Sequence, residues 1–176
     1  MNRRLAYAVL LGLGLLGWAA PAAARYQDPT LRFSLELPPG WTARARPPGA
    51  PADNTVRLRP PRRTDRDRGQ VRVDVWPGPV LKPAALARHL ADIGSDDDAA
   101  VLARRPASAR QPIHWTEYRI GMYGADGEWR IERRLEGVQA LPGQTWHIRC
   151  TAAESEFRHY RYLLEGICLS FVPPKR

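Results

Sequence analysis

Leu31-Arg32-Phe33-Ser34-Leu35-Glu36-Leu37 alternates apolar and polar residues at every step, the two-residue period of a half-buried strand. Pro38-Pro39-Gly40 then turns the chain before Trp41. Residues 46–54, rich in Pro, Gly and Ala, read as loop, and Thr55 to Arg59 as a short strand. The stretch from Arg59 to Gly69 holds five Arg, two Asp and two Pro, and reads as a mobile basic hairpin loop closing near Gly69. It leads into a strand over residues 71–76.

Beyond Pro83 the period changes. Leu86, Leu90 and Ile93 recur at helical spacing, Pro83 suits the first turn, and Gly94 suits the C-terminal stop. Ser95-Asp96-Asp97-Asp98 and the mixed segment up to Arg110 predict no clear element. Ile113 to Ile120 reads as a strand, turned within residues 121–127. From Glu128 to Glu136, Trp129, Ile131 and Leu135 fall on one side, and Glu128, Arg130, Glu132, Arg134 and Glu136 on the other; Arg133 is the exception on the apolar side. After a Leu141-Pro142-Gly143-Gln144 turn, Thr145 to Ala153 is the antiparallel partner, with Trp146, Ile148 and Cys150 in register. Trp129 and Trp146 are therefore expected in the core. Phe157, Tyr160, Leu164 and Ile167 mark a last helix. Hairpin-linked strands with one helix after the third strand and one at the end predict a single α+β domain, a mostly antiparallel sheet with helices packed on it.

The first 24 residues stand apart. Arg3 and Arg4 form a basic start, Leu5 to Trp18 an apolar run, and Ala22-Ala23-Ala24 a small-residue cleavage site, the pattern of a signal peptide. An uncleaved anchor is the competing reading, and the Arg pair leaves a twin-arginine route open. Gly12-Leu13-Gly14-Leu15-Leu16-Gly17 matches a dinucleotide-binding fingerprint, but a leader cannot supply the βαβ context that motif needs. The expected organisation is a signal peptide over 1–24 and one domain over 25–176, located in the periplasm or secreted.

Composition then changes the picture in two ways. The full chain of 176 residues carries +9; losing Arg3 and Arg4 leaves 25 basic residues against 18 acidic, or +7. Only Lys82 and Lys175 are lysines, so the positive charge is almost all guanidinium. Export argues against nucleic acid as the partner and points to an acidic protein face, membrane phosphates or acidic glycans. The two cysteines, Cys150 and Cys168, enter an oxidising compartment, which favours one disulfide between them. Two buried thiols or a redox pair are the alternatives, the latter without C-x-x-C spacing.

A family resemblance sits on both ends of this domain. Phe33-Ser34-Leu35-Glu36-Leu37-Pro38-Pro39-Gly40-Trp41 resembles the opening of PsbP-like and DcrB-like domains. The strand ending Ile148-Arg149-Cys150-Thr151-Ala152, followed by a Phe-led helix from Phe157 into Leu169-Ser170-Phe171, resembles their close. The segment from Gly94 to Arg110, with its three Asp, departs from the pattern. The resemblance implies a PsbP-like α/β/α sandwich acting as a non-enzymatic accessory, chaperone or binding module. It brings no catalytic residue onto this chain.

The residues themselves offer little chemistry. His89, His114, His147 and His159 lie at no metal-ligand spacing; His89 and His159 read as solvated, while His114 and His147 could meet if their strands pair. No G-x-S-x-G elbow is present. Asp96, Asp97 and Asp98 lack the EF-hand spacing. Glu128, Glu132 and Glu136 alternate with Arg130 and Arg134 and read as a ladder of paired surface charges. Trp41 and Trp76 sit beside Pro at strand ends, either plugging the core edge or offering an exposed aromatic site. No catalytic residue, metal or cofactor is therefore expected, and a hydrolase of unknown type is the least supported alternative.

What remains is a surface. If one sheet face packs on helices, the other carries Arg32, Glu36, Arg57, Arg59, Arg72, Asp74, Arg130, Arg134 and Arg149, with the loop arginines Arg62, Arg63, Arg66 and Arg68 beside it. Rigidly held guanidinium forks suit bidentate recognition of carboxylate or phosphate. The sequence thus points to a monomeric, exported binding protein with an acidic protein partner, in its sharpest form an immunity protein against a secreted toxin. An envelope protein binding anionic lipid or glycan is the alternative.

Overall fold

The computed structural model describes residues 23–45, 55–124 and 127–174. The expected signal peptide, apart from Ala23 and Ala24, and the loop expected over residues 46–54 lie outside the described residues. Twelve elements follow in order among the described residues: β1 (Ala24–Gln27), β2 (Ser34–Leu37), β3 (Thr42–Ala45), β4 (Val56–Arg59), α1 (Arg63–Asp67), β5 (Arg72–Gly78), α2 (Pro83–Asp92), β6 (Ala99–Arg105), β7 (His114–Tyr123), β8 (Trp129–Leu141), β9 (Gln144–Ala153) and α3 (Phe157–Leu169). Strands β1 and β2 form an antiparallel ribbon, and the others one antiparallel sheet of order β3-β4-β5-β9-β8-β7-β6.

The alternation seen in the sequence sorts residues between the two faces. Leu58, Val73, Cys150 and Leu135 are successive partners across β4, β5, β9 and β8, and all are buried. Helix α3 and the β1–β2 ribbon cover this face, joined by Phe33, Trp146 and Phe171 with ring centroids about 6 Å apart. Burying so much apolar area is the main favourable contribution to folding. Cys150 and Cys168 are joined at an S–S distance of 2.02 Å, pinning α3 to the central strand. Ser170 fixes the helix exit: its hydroxyl accepts from the Glu36 amide at 2.8 Å and donates to the Ile167 carbonyl at 2.7 Å.

On the opposite face α2 packs Leu86, Leu90 and Ile93 against Tyr118, Ile120 and Val138, covering one end only. The α+β architecture, a large antiparallel sheet flanked by helices, is as expected. Gly40 (φ +80°) and Gly94 (φ +73°) occupy the left-handed region at the two stops assigned to them.

Several elements differ from the pattern. The strand read over residues 31–37 begins only at Ser34. The Asp28 carboxylate accepts the amides of Thr30 at 3.0 Å and Leu31 at 2.6 Å, folding residues 28–31 into a turn that leaves Arg32 at φ +62°. Residues Arg59 to Gly69 are not an open loop. Arg63–Asp67 is a short helix, held by Arg66 on the carbonyls of Pro60 (3.0 Å) and Pro61 (2.6 Å) and by the Tyr160 hydroxyl on Asp65 at 2.9 Å. The unassigned segment after Gly94 contains the edge strand β6. Arg104 there donates to the carbonyls of Leu90, Ala91 and Ile93 at the end of α2.

Candidate binding face

The part of the sheet that α2 leaves uncovered carries charges in register. Arg57, Asp74, Arg149 and Glu136 are successive cross-strand partners from β4 to β8, alternating in sign. Arg57 meets Asp74 at 2.6 Å and Arg149 meets Glu136 at 2.7 Å. Behind this row Arg72 grips Glu132 with both terminal nitrogens at 2.8 Å, and Arg134 reaches the same carboxylate at 2.8 Å. Opposite charges directly across a sheet stabilise the pairing.

This lattice corrects two expectations. Glu132, Arg134 and Glu136 were expected as a surface ladder, yet they are 4%, 8% and 3% exposed. Burial alone would raise the Glu136 carboxyl, but the Arg149 guanidinium and the Tyr118 hydroxyl, which donates to it at 2.8 Å, outweigh that and hold it below the usual range. Glu132 is likewise lowered, burial being overcome by Arg72 and Arg134. The second correction concerns membership of the face. Glu36 lies on the β1–β2 ribbon, and Arg32, between the turn and β2, lines a separate hollow with Arg25 and Pro173, so neither belongs to the sheet face. Arg149 does belong to it, with its guanidinium 5.0 Å from the Trp76 ring.

Beside the lattice lies an open concavity of about 500 Å³ between α1 and the β7–β8 hairpin. It brings together Arg57, Arg59, Arg66, Arg72 and Arg130 from the sequence-derived set, with Asp67 and Glu132 the only carboxylates among its lining residues. Arg62, Arg63 and Arg68 are exposed and do not line it; Arg63 pairs with Asp67 at 2.9 Å and Arg68 with Glu156 at 2.8 Å. Arg134 is committed beneath the surface. Met122, Tyr123 and Gln70 also line the hollow. Sequence reading missed these three because their position depends on where the β7–β8 hairpin and the residue after α1 project. Although its backbone is paired with Thr42 on β3, the Arg59 guanidinium makes no hydrogen bond or ion pair among the described residues. Partial burial, with the like charges of Arg57, Arg44 and Arg66, pushes it downward, while Asp74 opposes them.

The histidines meet differently from expectation. His114 and His147 lie in one row with Val138 between them, so they do not touch. His147 instead stacks on Trp76 at 5.0 Å and meets the His89 ring edge-on at 5.1 Å under α2. Burial first, then His89, pushes the His147 imidazole down to about 4 against the pull of Glu136. Trp129, expected in the core, is 47% exposed, packed at 5.0 Å against Tyr123 on the hairpin. Arg133, the exception in the apolar stripe, lies 4.9 Å from the Phe157 ring and pairs with Glu117 at 2.7 Å. Among the described residues no group of three or more His, Cys, Asp or Glu could hold a metal ion, and no helix is long and apolar enough to cross a membrane.

No protein-family model and no curated protein matches the chain by sequence. Solved structures do match. The solution structure of cyanobacterial PsbP (CyanoP) from Synechocystis sp. PCC 6803 aligns with a TM-score of 0.54 at 17% identity, over 92% of this chain and 98% of that one. The fold is PsbP-like. The Ran-binding protein Mog1p of Saccharomyces cerevisiae aligns with a TM-score of 0.59 at 12% identity, over 86% of this chain and 95% of that one. A protein of Bacteroides thetaiotaomicron aligns with a TM-score of 0.53 at 9% identity, over 88% of this chain and 50% of that one. At such identities the likeness is one of fold, and function has to be argued from the site.

Proposed function

We propose that this chain is an exported, non-catalytic accessory protein that binds an acidic protein partner through its open arginine face. The observation that carries the reading is the concavity between the sheet and α1, where Arg59 and Arg66 have no carboxylate partner among the described residues and lie beside three ion-paired arginines. An excess of charge that the fold does not neutralise suits a partner that supplies the opposite sign. Export is supported by the leader-like first 24 residues and by the Cys150–Cys168 disulfide, a bond that persists in oxidising compartments. Mog1p, described as Ran-binding, is a protein of this fold that recognises another protein.

In its specific form the reading is a DcrB-like periplasmic immunity protein whose basic face plugs the acidic cleft of a secreted toxin. Affinity capture from periplasmic extract tests the general form. An acidic protein should be retained at low salt and released at about 1 M salt, where the Debye length is about 3 Å. Retention through that wash, or binding to phosphatidylglycerol vesicles with no protein captured, would sink it.

A further inference from the structure

The five arginines around the concavity are not equivalent, because three of them already hold a carboxylate. A guanidinium has five N–H groups. Arg57 commits Nε and Nη2 to Asp74, and Arg72 commits both terminal nitrogens to Glu132. Arg130 lies 3.4 Å from Glu128 at the hairpin. Among the described residues Arg66 uses only Nη1, on the Pro60 and Pro61 carbonyls, which fixes the side chain while leaving Nε and Nη2 unspent. Arg59, one strand residue before that connection, uses none among the described residues.

Two guanidinium groups without a carboxylate partner among the described residues therefore share one hollow, lined on its other side by Met122 and Tyr123. Tyr123 is 70% exposed, so its ring is available to cover an apolar group. Resting on the reading of this face as a protein-binding surface, we propose that the concavity receives a carboxylate-bearing segment of the partner, two neighbouring acidic side chains engaging Arg59 and Arg66 while an adjacent apolar residue packs on Tyr123. Carboxylates match this donor set because each accepts a planar pair of N–H bonds, and two of them balance the two unspent cations. The volume of about 500 Å³ falls in the range of about 300–1,000 Å³ found for ligand sites.

The test uses the purified protein with arginine side chains labelled with ¹⁵N, observed through their Nε–Hε resonances. The probe is a capped hexapeptide with two adjacent glutamates beside a leucine, and the control replaces both glutamates by glutamine. The Arg59 and Arg66 resonances should shift saturably with the first peptide and at least tenfold more weakly with the second. Arg59→Gln should lower affinity at least tenfold, whereas Arg62→Gln, on the outer side of the same connection, should leave it unchanged. Equal response to both peptides, or no saturation, overturns the proposal. Tenfold tighter binding of inorganic phosphate also overturns it, by assigning the hollow to phosphoryl groups. If the two arginines ignore the peptide while an acidic protein is still captured in a salt-sensitive way, this location fails and the binding reading stands.

Discussion

Arg149 and Tyr118 both donate to one oxygen of Glu136, at 2.7 and 2.8 Å, so a single buried carboxylate oxygen ties the central strand β9 to β8 and to the neighbouring β7. Replacing it by Glu136→Gln leaves the Arg149 guanidinium with no charge partner on β8. The expected loss is about 3 kcal/mol, because breaking a buried pair strands the remaining ion. Urea unfolding of the variant reads it directly. A loss under about 1 kcal/mol would show that Asp74 suffices to balance Arg149.

His147 gives the protein an acid-sensitive term. Its folded value near 4 lies below the ordinary 6.5, so between those limits the unfolded chain binds the extra proton. Its contribution is complete above pH 6.5 and falls as pH drops toward 4, by about 3 kcal/mol in all. Glu136, lowered from its ordinary 4.5, adds a further loss only below that pH. His147→Gln should flatten the unfolding midpoint between pH 6.5 and 4.5 while leaving the steeper fall beneath it.

Trp129 lies where a side chain on Gly121 would be: a Cβ there would sit 2.1 Å from the indole. Gly121→Ala must displace the ring from the hairpin, at a cost of about 1–3 kcal/mol. The loss should appear as a lower urea midpoint, with changed tryptophan emission as the exposed ring moves. An unchanged spectrum and midpoint would contradict this packing.

Removing the disulfide by Cys150→Ser with Cys168→Ser should cost about 3 kcal/mol in the chain-entropy description. For a domain of this size that lowers Tm by about 10 °C. Reductant should produce the same shift in the wild type and none in the variant.

The hydroxyl of Tyr160 holds the α1 connection through Asp65. Tyr160→Phe should lose about 1 kcal/mol and expose Arg62 to Arg68 to faster tryptic cleavage. An unchanged cleavage rate would mean that Arg66 alone, on its two proline carbonyls, is enough.

The sheet was legible where one face meets the core. The alternation at Phe33, Leu35 and Leu37, and at Trp146, Ile148 and Cys150, marks residues that all prove buried. It failed on the other face because polarity there does not mean exposure. Glu132 and Glu136 are covered by arginines from β5 and β9, and that depends on strand order, which no local period encodes. Trp129 and Ile131 lie near the end of a hairpin and stay exposed despite an apolar stripe. The helix α1 was hidden for a similar reason, since the Tyr160 that holds it comes from 95 residues further along the chain. The arginine set was visible as composition, but the distinction between spent and unspent donors needed the positions of Asp74, Glu132 and the proline carbonyls.

The two outer strands limit how anything can approach this sheet. On β6 the register shifts between Val101 and Ala103, and the strand ends in Arg104 and Arg105; on β3 the exposed Arg44 lies across from Arg57. A bulge and charged side chains make poor templates for another strand. Growth by strand addition is discouraged at both ends, which keeps copies of the chain from zipping together edge to edge. On the binding reading proposed above, recognition then falls to the flat of the sheet, where side chains rather than main-chain ladders would set the choice of partner.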